Sequence, residues 1–142
     1  TNRLATPQTP EHSSNSMSDS DPQAHFHYFI TQLNRRNLAY LHILEGDMMS
    51  TSRNIDYRAL RDAFSGIYMA NNGYDKARAQ AAIANGDCDL VAFGVPYLAN
   101  PDLLYRYQND LPLNEADQAT FYGGDETGYT DYPVAGQDKT TS

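Results

Sequence analysis

Ile67-Tyr68-Met69-Ala70-Asn71-Asn72-Gly73-Tyr74-Asp75, with the alanine-rich run from Lys76 to Ala84 behind it, decides the fold class of this 142-residue chain. Ile67 to Ala70 is a short apolar run of strand length. Asn71-Asn72-Gly73 is turn chemistry, because Asn and Gly tolerate the left-handed backbone of a tight reversal. Asp75 is placed to accept from the first N–H groups of a helix, and Gly86 sits where a left-handed residue ends one. Strand, turn and helix in that order predict a βα unit. The order recurs on both sides. Upstream, Leu38-Ala39-Tyr40-Leu41-His42-Ile43-Leu44 is nearly continuous in apolar residues, the pattern of a strand covered on both faces of a parallel sheet. Glu45-Gly46-Asp47 closes it, and Asp56 to Phe64 follows as a helix with Tyr57, Leu60 and Phe64 inward, Arg58, Arg61 and Asp62 outward, and a turn at Gly66. Downstream, Leu90 to Phe93 is a strand broken by Gly94, and Asn100-Pro101-Asp102 opens a helix carrying Leu103, Leu104 and Tyr107.

Working outward, Asp21-Pro22 starts the first helix: Asp accepts from orphan N–H groups and Pro suits the first helical position. Phe26, Phe29, Ile30 and Leu33 then form one buried stripe, and Asn37 ends the helix. Thr6 to Asp21 is rich in Thr, Pro, Ser, Asn and Asp and reads as a long loop; the chain past Pro133 reads as disordered. Alternating strands and helices imply right-handed βαβ units and a parallel sheet, hence α/β. A complete doubly wound domain fits the length. A (β/α)8 barrel typically needs about 250 residues, so a barrel reading makes this chain a portion. Periodicity leaves the two open.

Composition excludes several classes. No run approaches the roughly 18 to 20 apolar residues of a membrane span, and no secretory signal opens the chain, so the expected location is cytoplasmic. A net charge of −8 works against nucleic acid and anionic membrane as partners. The one cysteine, Cys88, forms no internal disulfide and cannot build a cysteine zinc site.

Two glycine-bearing junctions, Met69-Ala70-Asn71-Asn72-Gly73-Tyr74 and Ala92-Phe93-Gly94-Val95-Pro96, each lead from a strand into a helix. Backbone N–H groups converge at such junctions, and in barrels the loops after the last two strands often form a phosphate site. The plainer reading is that Gly73 and Gly94 only permit tight turns. Spacing alone does not choose.

Asp89-Leu90-Val91-Ala92-Phe93-Gly94, Pro96-Tyr97-Leu98-Ala99-Asn100-Pro101-Asp102-Leu103, Leu113-Asn114, Phe121-Tyr122-Gly123-Gly124 and Gly128-Tyr129-Thr130-Asp131-Tyr132-Pro133 together resemble the Old Yellow Enzyme family of FMN-dependent alkene reductases. Arg3-Leu4 resembles that family's arginine-bearing strand end. Leu38 to His42 and Ala70 to Tyr74 resemble its sixth and seventh strands. The resemblance implies that residues 1–133, with 6–21 a long loop and 134–142 a tail, form the C-terminal portion, about half, of an FMN-binding TIM (β/α)8 barrel. It implies hydride transfer from NAD(P)H through FMN to a small activated alkene. Arg3 matches the arginine facing the electron-rich N1 and O2 edge of the flavin, against the plain reading of an exposed arginine. Asn72, Gly73, Gly94 and Val95 match the two phosphate loops. Tyr122 matches an aromatic residue on the substrate side of the flavin, or is a packing tyrosine.

Two departures follow. Many members carry arginine where Val95 stands, so FMN is expected to bind more weakly, with Lys76 or Arg78 partly replacing the charge. The substrate-holding His pair and the proton-donating tyrosine match nothing here and are expected upstream, so no catalytic residue is assigned. The chain alone is expected to be inactive and to need a complementary N-terminal barrel half, while its open sheet edges make self-association plausible, the rival outcome being a partial barrel that associates through them or does not fold stably. The alternatives are a non-catalytic partial barrel, or a barrel enzyme for another phosphorylated ligand. Remaining candidates are weaker. His25 and His27 point about 200° apart on a helix and share no metal; His42 reads as a hydrogen-bonded core imidazole; no metal site is expected. Glu45 and Asp47 imitate a glycosidase carboxylate pair, but capping and solvation explain them. Asp87 and Asp89 should raise the Cys88 thiol pKa, arguing against a nucleophile.

Overall fold

The computed structural model describes residues 6–11, 19–47 and 52–136. The chain divides into two compact units, residues 1–92 and 93–142. The first holds β1 (Thr6–Gln8), α1 (Pro22–Leu33), β2 (Leu41–Leu44), α2 (Tyr57–Ala63), β3 (Tyr68–Asn71), α3 (Lys76–Ala84) and β4 (Leu90–Ala92). The strands form one sheet in the order β1-β2-β3-β4, every pair parallel. Leu41 is opposite Tyr68 and Asn71 opposite Ala92, so β2, β3 and β4 end nearly level along one edge. Thr6–Gln8 thus corrects the loop reading of Thr6 to Asp21 at its start: these residues lack an apolar pattern but gain the backbone hydrogen bonds of an edge strand beside β2.

Each of the three helices starts on an aspartate. Asp21, Asp56 and Asp75 accept from the N–H groups of Ala24, Ala59 and Arg78 at 3.0, 2.9 and 2.8 Å. Helix α1 stops at Leu33 and not at Asn37; Asn34 is its C-cap, still helical in backbone, and its side chain donates to the Ala63 carbonyl at 2.7 Å and accepts from the Ser65 N–H at 2.9 Å. Gln23 and Asp56 join the other ends of α1 and α2 by a bond from the Asp56 N–H to Gln23 Oε1 at 2.6 Å.

The core lies between one face of the sheet and the helices. Leu41 and Ile43 of β2 and Tyr68 and Ala70 of β3 face Ile30, Tyr57, Leu60, Phe64 and Ala82, with Cys88 below β4. Burial alternates along β2 and β3, so only one face is covered here; His42, Leu44, Met69 and Asn71 lie on the other and stay partly exposed. That corrects the expectation of a strand covered on both faces. It also corrects His42, which is half-buried, with Nε2 lacking a partner among the described residues; burial lowers its pKa. Phe29 leaves the predicted stripe and is 39 % exposed.

The second unit contains α4 (Val95–Ala99), which the sequence reading missed, α5 (Leu103–Gln108) and a 3-10 turn at Gln118–Thr120. Its glycine-rich segment is ordered by polar bonds. Asn100, fully buried, donates to the Pro96 carbonyl at 2.9 Å and accepts from the Asn114 N–H at 2.7 Å. Arg106, 5 % exposed, donates to Asp102 at 2.7 Å and to the carbonyls of Pro112 and Pro133 at 2.6 and 2.9 Å. Leu103 is buried, whereas Leu104 points to solvent. Residues 137–142, read as part of a disordered tail, lie outside the described residues.

Four outcomes test this architecture. Leu60→Ala should cost about 2–5 kcal/mol of stability through the cavity it leaves, and Asp56→Ala about 1 kcal/mol through the lost cap, both read by urea denaturation. Arg106→Met should leave two carbonyls and Asp102 without their cation and expose the 112–133 segment to proteolysis, while the Leu60 site is unaffected. Burial, aided by Glu45, Asp87 and Asp89, pushes the Cys88 thiol up to about 11. Iodoacetamide at pH 8 should therefore alkylate the native chain slower than the urea-unfolded chain by on the order of a hundredfold.

Candidate functional site

The bend between β3 and α3 is held by several side-chain bonds to the main chain. Asn72 has φ +82° and Gly73 φ +66°, so both central residues are left-handed, as Asn-Gly turns favour. The strain at Asn72 is offset by its own amide, which donates to the Glu45 carbonyl at 2.9 Å. Its N–H donates to Asn71 Oδ1 at 2.6 Å. The two carbonyls of the bend are each taken by an arginine: Arg53 Nη2 lies 2.7 Å from the Asn72 oxygen, and Arg78 Nη1 lies 3.0 Å from that of Gly73. Both guanidinium groups also lie over the Tyr74 ring, at 5.6 and 4.7 Å from its centroid.

Below this bend sits Glu45, 6 % exposed at the end of β2. Its carboxylate accepts from the hydroxyls of Tyr74 at 2.7 Å and Tyr68 at 3.2 Å, and Arg53 lies 3.5 Å away. Burial raises its pKa, opposed by the tyrosine hydroxyls and by Arg53 and Arg78. The same burial, with the carboxylate beside them, raises the pKa of Tyr68 and Tyr74. Tyr57 accepts from the Gly46 N–H and donates to Glu11, tying the loop after β2 to the chain after β1. A cleft of about 260 Å³ opens beside Arg53, Tyr74 and Arg78. Glu45 is thus buried and hydrogen-bonded by tyrosines, which corrects the expectation that solvation explains it.

The other junction begins at Phe93 in the second unit. Gly94 precedes α4 with φ −88°, and a Cβ built there meets no atom within 4 Å. Neither backbone nor packing among the described residues demands glycine, so the space that a side chain would fill stays open to whatever approaches the main chain. At Gly73 the positive φ does demand it. Val95, the first residue of α4, is about half exposed. Tyr122 is 88 % exposed, so its ring packs little against the described residues. Arg3 lies outside the described residues. His25 bonds Asp19 at 2.6 Å, and no cluster of metal-ligating groups occurs among the described residues. Nor is any described helix long and apolar enough to cross a membrane.

Sequence reasoning named Asn72 and Gly73 but not the groups that hold them. Arg53 and Glu45 are 19 and 27 positions from Asn72, and no local pattern joins them.

Comparison with known proteins agrees with this architecture. The NADH:flavin oxidoreductase / NADH oxidase family matches residues 3–114. A probable flavin mononucleotide-dependent alkene reductase of Leishmania infantum is 42 % identical over 125 residues, covering 88 % of this chain and 34 % of that protein. A putative 12-oxophytodienoate reductase 5 of Oryza sativa subsp. japonica is 43 % identical over 130 residues, covering 87 % and 35 %. The structure of the old yellow enzyme from Trypanosoma cruzi superimposes with a TM-score of 0.87 at 37 % identity, covering 92 % of this chain and 35 % of that one. The chain thus spans about a third of the length of these relatives, and its parallel sheet is part of a TIM barrel. By family match, relatives and fold together, it belongs to the NADH:flavin oxidoreductase / NADH oxidase family, among the Old Yellow Enzyme-like proteins.

Proposed function

We propose that this chain supplies the FMN phosphate-binding portion of an alkene reductase barrel, with Asn72 and Gly73 on one loop and Gly94 and Val95 on the next. The observation that carries the reading is the pair of junctions themselves. They leave parallel strands that end level, Asn71 opposite Ala92, and each contributes a glycine, one left-handed and one with open space at its missing side chain. Main-chain amides at such strand ends suit a dianion, because an N–H donor there costs no further ordering when the ligand arrives. Arg3 is proposed on the resemblance alone to face the N1 and O2 edge of the flavin, where a fixed cation favours the anionic reduced ring. Tyr122, with its ring exposed, is proposed to line the substrate side. When bound, reduced FMN would supply hydride to an activated alkene after a nicotinamide cofactor had reduced it.

No residue of the chain is proposed as the proton donor or as the substrate-holding histidine pair. Alkene reduction would then need a complementary barrel segment carrying them. In the sheet, β1 and β4 each have one strand partner among the described residues and so present an edge for such a segment, or for a second copy.

Purified chain should bind FMN more tightly than riboflavin, measured by equilibrium dialysis, and should show no alkene reduction with NADPH until the missing barrel segment is added. Equal affinity for the two flavins, or turnover by the chain alone, would refute the reading. Val95→Arg should tighten FMN by about tenfold or more by restoring a charge-assisted contact, and leave riboflavin unaffected. Unchanged FMN affinity would show that Val95 is not at the phosphate.

A further inference from the structure

We propose that Arg53 and Arg78, held by Glu45 and Tyr74, are positioning residues that aim the Gly73 and Tyr74 amides at the ligand, acting on the phosphate from behind the bend without touching it. This rests on the phosphate reading of the Asn72–Gly73 bend and adds to it the groups that set its direction.

The argument is geometric. No peptide bond in the described chain is cis. A trans peptide points its C=O and its N–H in opposite directions. The peptide joining Asn72 to Gly73 has its oxygen on Arg53 at 2.7 Å, and the peptide joining Gly73 to Tyr74 has its oxygen on Arg78 at 3.0 Å. The Gly73 N–H is therefore turned away from Arg53 and the Tyr74 N–H from Arg78, each away from the cation that holds its own peptide. Each cation also polarises the peptide whose oxygen it holds, which strengthens the N–H at the other end as a donor.

The arginines are themselves fixed. Both lie over the Tyr74 ring, whose hydroxyl is anchored on the buried Glu45 carboxylate at 2.7 Å, with Arg53 3.5 Å from the same carboxylate. Glu45 also holds the bend through its carbonyl, which accepts from the Asn72 side chain. One buried residue at the end of β2 thus sets the orientation of a loop after β3. The missing arginine at Val95 is then replaced by aimed main-chain dipoles and not by a direct side-chain contact from Arg78.

The test uses Arg53→Met, Arg78→Met, Arg78→Lys and Tyr74→Phe in the 142-residue chain, with Asp62→Ala on the exposed face of α2 as a control. The readout is the ratio of FMN to riboflavin affinity, because general loss of structure weakens both flavins alike whereas misdirected amides weaken FMN alone. The Met variants should each lower the ratio about tenfold, Tyr74→Phe should lower it less, Arg78→Lys should retain most of it, and Asp62→Ala should leave it unchanged. In heteronuclear NMR of the wild-type chain, added FMN should shift the Gly73 and Tyr74 amides and leave the Arg53 and Arg78 Nε–H signals in place. Shifts at the arginine Nε–H groups without shifts at the two amides would overturn the inference, as would Met variants with an unaltered ratio. A wild-type ratio of one would instead remove the phosphate reading, and this inference with it.

Discussion

Parallel strand pairing is the constraint from which the other features follow. When neighbouring strands run the same way, their C-terminal ends share an edge, and every connection back must cross the sheet as a helix. In this chain β2, β3 and β4 end nearly level, with Leu44 opposite Asn71 and Asn71 opposite Ala92. The loops that leave β2 and β3 are consequently gathered along one edge of the sheet. Proximity of that kind lets Glu45, at the end of β2, reach the bend after β3, and it makes the strand ends a place where chemistry can be assembled from residues far apart in sequence.

Glu45 shows how a costly group is turned to use. A carboxylate 6 % exposed is strongly disfavoured unless its oxygens are satisfied. Two tyrosine hydroxyls and a nearby guanidinium do that, and each of these partners is itself attached to the bend or to β3. The carboxylate therefore ties the loop after β2 to the loop after β3, where an apolar residue of the same size would fill space and orient nothing. The second unit uses the same device with opposite sign: buried Arg106 gathers Asp102 and the carbonyls of Pro112 and Pro133 and gives a segment with little apolar content a fixed path.

Membership of the NADH:flavin oxidoreductase / NADH oxidase family, together with a span of about a third of the relatives' length, sets what the residues can be asked to do. The face bearing His42, Leu44, Met69 and Asn71 is only partly covered, and His42 Nε2 lacks a partner among the described residues. In a closed TIM barrel the sheet face opposite the helices is filled by side chains from the other strands. The half-exposed state of these residues is what part of a barrel would show.

Local signals in the sequence determined the α/β class, the aspartates that open the helices, the left-handed Asn72-Gly73 bend and the core positions Ile30, Leu60 and Phe64. Each depends on contacts within a few residues or on a repeat of apolar positions, and both are written along the chain. Tertiary structure decided the rest. The strand at Thr6–Gln8 exists because β2 offers it hydrogen bonds, not because Thr-Pro-Gln favours extension. The Asn34 side chain joins the end of α1 to the end of α2 only because Ala63 and Ser65 are brought beside it. Arg53, Glu45 and Tyr74 meet at the bend only after the sheet has formed, since their attraction acts over a few ångströms while Tyr74 lies 29 positions from Glu45 along the chain.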